Sequence, residues 1–541
     1  MIDFLQFQRP QRYIGNEFNV IKKTHQGRIP VCLCFPDLYE IGMSNLGLHI
    51  VYGLLNRNPQ IVCERVFMPG LDVVSYLEKK KIKLFSLETH TSLDRFEIIG
   101  FNLGHELNYT NFLKILDLGG IPVYSKDREK TIVLAGGVIN PEPIADFVDV
   151  FCLGEFEEIS ESFINIMKTY NLKSERLKAL SEIEGFYVPA FYNIEKTCNK
   201  YRFEKKYSFA RIPLKRRHVK DLDRSFMPFK WLTPHTEITH DRIPVEIARG
   251  CPHRCTFCQA RAVYFPYRER KISTIKKAIE ETYKYSGYEN MSLLALSASD
   301  HSKVIELIEA ITPFLQARRI GLNLPSLRVG QAISLLQKKL TQLKKTPLTV
   351  AIEAAKDDLR RSLNKNIDIE ELFEAIKILK SLGTRNIKVY FMFGFHQEDE
   401  EDLAEIGKFL NKLYSLGRTT VNVSINSFIP KPLSLWQDLI MEDVEQLYRK
   451  RQIILKNIPK NRNFKITFSD PKKSILESIL ANGDRTLSAV LLKAFKAGIF
   501  FDSHGENKNW HLWEQIFELE KVDFKELLKS RMENFPWSHI N

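Results

Sequence analysis

A chain of 541 residues with 44% hydrophobic and 27% charged residues has the composition of an ordinary globular protein. Its length predicts about three domains, each able to bury a core. It holds no run of 18 or more apolar residues and opens without a basic stretch leading into an apolar one, so neither a membrane span nor a signal peptide is expected and the location is read as cytoplasmic. The net charge of +13 admits RNA or another acidic macromolecule as a partner without requiring one; Lys196 to Lys230 alone carries 12 Lys/Arg against 3 acids.

In chain order, Ile29 to Pro36 reads as a buried strand and Ser44 to Leu55 as the helix after it. Ile61 to Met68, Glu97 to Leu103, Thr131 to Gly137 and Val148 to Gly154 are further strands, mostly closed by Gly, Pro or Asp. Strands alternating with helices predict a parallel, doubly wound sheet over residues 1–170. Ligands bind beyond the carboxyl ends of such strands, which places Asp37, Asn102 to His105, Gly136-Gly137 and Gly154-Glu155 on one rim. Residues 171–240 are rich in Lys, Arg and Pro and read as a basic connection with a small strand near Gly185 to Tyr192. A second βα series spans 241–470, with strands at Pro244 to Gly250, Met291 to Ser299, Ile320 to Arg328, Leu348 to Ala354, Ile387 to Gly394 and Val421 to Ile429. Six βα units predict a partial barrel, short of the usual eight. The tail, 471–541, is helical over Lys473 to Leu480, Thr486 to Ala497 and Trp510 to Glu520. The expected fold class is therefore α/β: an N-terminal Rossmann-like doubly wound domain, a central partial (β/α)6 TIM-type barrel and a C-terminal helical region.

Of eight cysteines, Cys32, Cys34, Cys63 and Cys152 lie in or beside apolar strands and read as core, and Cys198 sits in polar sequence with no evident role. Cys251, Cys255 and Cys258 differ: they share one short run, Gly250-Cys-Pro-His-Arg-Cys-Thr-Phe-Cys258. Three thiolates on one loop can hold three corners of an iron–sulfur cube and leave one iron open. A structural zinc site would want a fourth ligand on a second arm, and only His253 is near. A redox pair would use Cys255 and Cys258 and leave Cys251 unexplained. Core packing does not suit the surrounding Pro, His, Arg and Thr. Placement favours a cofactor loop, because the run follows the first strand of a barrel-like series.

The run Ile247-Ala-Arg-Gly-Cys251-Pro-His-Arg-Cys255-Thr-Phe-Cys258 resembles the radical S-adenosylmethionine (SAM) superfamily. The resemblance implies a [4Fe–4S] cluster on Cys251, Cys255 and Cys258, with SAM chelating the fourth iron. One electron then cleaves the sulfonium and releases a 5′-deoxyadenosyl radical; the electron would come from a donor such as ferredoxin or flavodoxin. It also implies cofactor contacts at the strand ends: Ser297 and Ser299 toward the methionyl group, Glu353 toward the ribose or methionyl group, Phe393 and Gly394 beside adenine, and Phe257 packing on it; Arg328, closing the third strand, is read as lining the pocket. Leu296-Ser-Ala-Ser-Asp300 departs from the superfamily's commoner Gly-Gly-Glu.

Phe35-Pro-Asp-Leu-Tyr-Glu-Ile-Gly42 through Gly47, Val133 to Gly137, Asn140-Pro-Glu-Pro143, Leu153 to Glu157, and Ser474 to Arg485 resemble a subgroup with an N-terminal cobalamin-binding-like domain. Domains of that kind often ligate cobalt through the histidine of a DxHxxG loop, and here Tyr39 stands at that position. His49 lies inside the next helix and His105 at another strand end. Cobalamin held without a histidine and a domain that has lost cobalamin are both open, and the glycine pairs would serve either. The leading reading is a radical SAM enzyme, methylating an unreactive carbon if cobalamin binds. One alternative is a methylthiotransferase acting on tRNA or protein, whose second cluster would draw on Cys32 or Cys34, Cys63 and Cys152. The other is a non-catalytic, cluster-containing RNA-binding protein. In the tail, Arg485, His504, Trp510 and Trp513 read as amphipathic packing or as a cap over substrate.

Overall fold

The computed structural model describes residues 2–197, 200–323, 348–381, 386–417, 420–505, 509–529 and 533–541. The chain divides into two compact units: Met1–Lys220 with Arg224–Asp241 and Ile479–Asn541, and Asp221–Asp223 with Arg242–Ser478.

In the first unit the apolar runs become β1 (Ile29–Phe35), β2 (Ile61–Phe67), β3 (Ile98–Leu103), β4 (Ile132–Gly137) and β5 (Val150–Cys152). They run parallel in the order β2-β1-β3-β4-β5. A two-residue strand, β6 (Phe186–Tyr187), closes the sheet antiparallel to β5. Unbroken apolar sequence suits a sheet covered on both faces, and β1 and β2 are buried almost end to end. The exceptions are Glu64 and Arg65 in β2. Glu64 is paired with His25, Ser86 and Thr89. The Arg65 guanidinium is fully buried but meets Glu88 at 2.6 Å and Glu17 at 3.0 Å, so the charge is paired inside the core. The helix Leu46–Arg57 follows β1 and is capped by the Asn45 side chain, which accepts from the Leu48 amide. The strand order reverses between β1 and β3, which creates a switch-point crevice at their carboxyl ends.

The basic sequence beyond β6 forms a hairpin of β7 (Tyr192–Thr197) and β8 (Lys200–Lys205). Residues 479–541 pack in the same unit, and one carboxylate explains how. Glu142, wholly buried after β4, accepts from Arg485 Nε at 2.8 Å and from the Tyr187 hydroxyl at 2.7 Å. Beside it Asn140 Nδ2 donates to the carbonyls of Ala481 (3.1 Å) and Gly483 (2.7 Å), and the Tyr201 hydroxyl donates to Asp484 (2.7 Å). The Asn140-Pro-Glu-Pro143 and Gly483-Asp-Arg485 motifs are thus two halves of one polar lock. Trp510 and Trp513 are buried on the helix Trp510–Leu519, so the packing reading holds for them.

In the second unit the strands are β9 (Ile243–Glu246), β10 (Ala248–Arg249), β11 (Arg268–Glu269), β12 (Asn290–Leu294), β13 (Gly321–Asn323), β14 (Leu348–Glu353), β15 (Asn386–Phe393), β16 (Thr420–Ser427) and β17 (Phe464–Phe468). They form a parallel sheet β13-β12-β9, a parallel sheet β14-β15-β16-β17 and a small antiparallel pair β10-β11. β17 adds a parallel strand beyond the six expected; its Phe-Lys-Ile-Thr-Phe sequence alternates over only five residues, against eight in β16. Helices such as Ile272–Ser286, Val304–Ala317 and Glu400–Ser415 follow strands, the last opened by a capping box between Asp399 and Asp402. Among the described residues no helix is long and apolar enough to cross a membrane.

Two stability predictions follow from the first unit. Arg485→Met leaves Glu142 buried and short of its cation, and should cost about 3–5 kcal/mol in urea unfolding. His49 stacks on Trp231 with ring centroids 3.6 Å apart and donates from Nε2 to the Met43 carbonyl at 2.9 Å. Burial pushes its pKa down to about 3. The unfolded chain, with histidine near 6.5, binds the extra proton first, so stability is lost as pH falls below that value. By pH 5 the loss should reach about 2 kcal/mol, and His49→Phe should remove this part of the pH dependence.

Candidate functional site

The thiol loop begins where β10 ends. Gly250 has φ +84°, and a Cβ there would come within 2.7 Å of the carbonyl oxygens of both Tyr264 and Pro266. Only glycine satisfies the left-handed turn and the close backbone approach together. Behind the loop Arg249 pairs with Glu246 through two hydrogen bonds of 2.9 Å, and Arg270 adds a third contact at 2.8 Å. Burial pulls the Glu246 carboxyl upward, but Arg249 and then Arg270 outweigh it and hold it below its ordinary range.

The loop is tied down from several strand ends. The Thr256 amide donates to the Leu363 carbonyl (3.1 Å), and the Trp436 amide donates to the Thr256 carbonyl (3.0 Å). Asn364 Nδ2 donates to the Arg254 carbonyl at 2.8 Å, and the Cys255 thiol lies 4.0 Å from the Asn364 carbonyl. On the other flank, His253 Nε2 sits 2.6 Å from Asp300 Oδ2. Cys258 takes the N-cap position of the short helix Gln259–Val263, and its amide donates to the Cys255 carbonyl at 3.2 Å. All three loop thiols are half-buried, whereas Cys32, Cys34, Cys63 and Cys152 are buried.

Most of the other expected residues fall on neighbouring strand ends. Ser297 is buried at the start of the 3₁₀ turn Ala298–Asp300, which contains Ser299 and follows β12. Glu353 ends β14 at φ +69°, where the register with β15 shifts. Such a conformation costs a non-glycine residue of order 1–3 kcal/mol, and it gathers at functional sites. Burial raises the Glu353 carboxyl above its ordinary value, with Lys365, 3.4 Å away, pulling the other way. Gly394, at φ +89°, donates its amide to Glu398 at 2.7 Å. Glu398 is pushed up to about 7, first by burial, against the opposing pull of Lys450 at 3.2 Å. Phe257 packs against a cluster of Ala354, Leu359, Leu363, Phe395 and Phe428, with Trp436 alongside. Phe393 turns its ring into the core edge-on to Phe468, and its carbonyl accepts from the Phe428 amide, so its part at the rim is limited to backbone. Arg328 lies outside the described residues, as does Cys198.

Sequence reading missed Asn364, Lys365, Trp436 and the His253–Asp300 pair. Asn364 carried a signal, since it sits just past the short helix Asp357–Ser362 at φ +52°, where asparagine is tolerated. Lys365, Trp436 and the His253–Asp300 pair meet partners 12 or more residues away in sequence and gave none.

At the switch point of the first unit, Tyr39 is buried with its hydroxyl donating to Glu17 at 3.0 Å, so it points into the core. Asp37 instead receives His504 Nε2 at 2.6 Å and Asn108 Nδ2 at 3.3 Å. A Cβ on Gly137 would stand 1.7 Å from the Leu103 carbonyl oxygen and one on Gly154 2.1 Å from that of Arg217, so the chain's own backbone already requires both glycines.

An α/β protein with a three-cysteine loop tied to the carboxyl ends of parallel strands is the form a cluster-bearing enzyme takes. Comparison with known families names it. The family described as Radical SAM proteins, N-terminal, matches residues 47–189, and the Radical SAM superfamily matches residues 245–410, more than half of the chain between them. The chain belongs to the radical SAM superfamily, and it is an enzyme of that class, one that works with a [4Fe–4S] cluster, SAM and a reductant. It is 28% identical over 465 residues to an uncharacterized protein of Methanocaldococcus jannaschii, covering 85% of this chain and 90% of that one. It is 23% identical over 175 residues to the ribosomal protein uS12 methylthiotransferase RimO of Thermoanaerobacter sp., covering 31% of this chain and only 40% of RimO. In fold it is similar to the radical SAM methyltransferase TsrM of Kitasatospora setae, with TM-score 0.54, 11% identity and coverage of 91% of this chain and 100% of that one. It is also similar to the cobalamin-dependent SAM radical enzyme OxsB, with TM-score 0.50, 14% identity and coverage of 92% and 72%.

Replacing Gly250 by alanine should lower the melting temperature, because a left-handed alanine costs about 1–2 kcal/mol before any clash with the two carbonyls is counted.

Proposed function

We propose that Cys251, Cys255 and Cys258 hold a [4Fe–4S] cluster and that SAM occupies its open iron. The single observation that carries this is the loop itself: three half-buried thiols on one turn, strapped to neighbouring strand ends. The donor set fits a cluster, since thiolates are its usual ligands and a three-thiolate loop leaves one iron for an exogenous chelator. When bound, the cluster supplies the electron that cleaves the SAM sulfonium, drawn from a donor such as ferredoxin or flavodoxin.

The chain's own residues orient and enclose. The two parallel sheets of the second unit read as arcs of a partial barrel, with the loop at the carboxyl edge. Ser297 and Ser299 stand for the methionyl end. Glu353 stands for the ribose or methionyl group, its buried carboxyl offset by Lys365. Phe257 and the Gly394 backbone stand for adenine, with Glu398 holding the Gly394 turn rigid. Arg328 remains a proposed pocket residue. Trp436, Phe395 and Phe428 wall off that side from water.

A corrinoid at the switch point of the first unit is the second reading, favoured by the reversal of strand order at β1 and by a fold shared with TsrM and OxsB, whose solved structures include cobalamin-bound forms. The Tyr39 hydroxyl is turned to Glu17, so backbone edges at the switch point would hold a corrinoid, and the chemistry it would supply there is methyl transfer. A methylthiotransferase would need a second cluster. The four cysteines available to it are buried, and burial raises the thiols of Cys32 and Cys63 well above their ordinary value and that of Cys152 to about 12.

Anaerobic reconstitution with iron, sulfide and corrinoid tests this directly. We expect about four irons per chain, 5′-deoxyadenosine on reduction with SAM, and loss of both in Cys255→Ala. About eight irons would favour the methylthiotransferase, and an iron-free protein would sink the cluster assignment. A corrinoid absorption band in the same sample decides the second reading.

A further inference from the structure

We infer that His253 and Asp300 are positioning residues that lock the thiol loop to the end of β12, setting where the ligand of the open iron lies; the inference rests on the cluster reading above. His253 stands midway between Cys251 and Cys255, and Asp300 ends the turn that carries Ser297 and Ser299. Their 2.6 Å contact therefore joins the cluster ligands to the residues assigned to the methionyl group. A contact this short between imidazole and carboxylate is a charge-assisted hydrogen bond with strong directional preference.

Asp300 is itself held in place. Its carbonyl lies 3.1 Å from the Tyr267 hydroxyl, which also reaches Glu269 at 2.8 Å, and Glu269 accepts from the Ser302 amide at 2.7 Å. Tyr267 belongs to the segment on which the Gly250 turn packs. The loop thus meets a braced partner, and the brace returns to the loop's own start.

Stability is the plainer explanation, and the exposures argue against it. The His253 and Asp300 side chains are 28% and 24% exposed, and partly solvated pairs of this kind add little to folding. The opposite flank, moreover, is already closed by the ties to Leu363, Asn364 and Trp436. What the pair adds is registration of two strand ends.

The test uses the reconstituted, reduced full-length enzyme, with SAM titrated against the electron paramagnetic resonance signal of the cluster. In Asp300→Ala we expect wild-type iron content and melting temperature, with the half-saturating SAM concentration raised roughly ten-fold or more, the scale of loss seen when groups behind a metal ligand are removed. Asp300→Asn keeps an acceptor of the same size for the imidazole, so it should recover part of that loss. A SAM titration unchanged in both Asp300→Ala and His253→Ala overturns the inference. So does loss of iron from both at unchanged melting temperature, since the pair would then serve to retain the cluster. A wild-type enzyme whose signal ignores SAM overturns the cluster reading itself, and that result is told apart because it needs no variant.

Discussion

The candidate site depends on one backbone turn. At Gly250 the chain leaves β10 in a left-handed conformation and passes so close to the carbonyls of Tyr264 and Pro266 that no side chain fits. That turn carries the next eight residues, with all three thiols, away from the strand direction and across the carboxyl edge. The price is small in sequence terms, one glycine, but it constrains everything downstream. Held this near to the 264–267 segment, the loop reaches Asp300 on one side and Asn364 on the other.

The ties on that loop come from different parts of the unit. Leu363 and Asn364 follow a short helix after β14, Trp436 follows β16 and Asp300 follows β12. The segment after β14 contributes several contacts and those after β12 and β16 one each. Strand ends make a good mount because the sheets behind them are rigid and their side chains are already packed. The same logic places Glu353 and Gly394, both at positive φ, at the ends of adjacent strands β14 and β15. Irregular backbone gathers where regular pairing stops.

How much of this was legible in advance follows from the range of each interaction. The parallel strands of the first unit were visible because a strand covered on both faces needs an unbroken apolar run, a signal contained in five or six residues. In the second unit β16 alternates over eight residues and was still legible, whereas the alternation of β17 covers only five. The thiol loop was visible because its three cysteines lie within eight residues of one another. What could not be read were contacts between residues 47 to 343 apart, such as His253 with Asp300 and Glu142 with Arg485. Both members of the latter pair lay in motifs that had been singled out, yet nothing local said that they would meet. The position of Tyr39 in the DxHxxG-like stretch showed that the usual ligand is missing. Only the structure showed that its hydroxyl turns inward to Glu17.

The two groups of cysteines show how burial, more than residue type, assigns chemistry. A cluster ligand must be a thiolate, and in apolar surroundings a thiolate is penalised by desolvation. Cys63 sits in β2 beside buried Glu64 and close to Glu88, so burial and then carboxylate repulsion both oppose its ionisation. Arg65 pulls the other way without reversing the result. Cys32 and Cys152 are likewise held as thiols, first by burial. Cys251, Cys255 and Cys258 are half-buried, on a loop fixed by its ties to Leu363, Asn364 and Trp436. Among the described residues the first unit therefore keeps its cysteines in the core, and the half-buried ones belong to the loop that begins at Gly250.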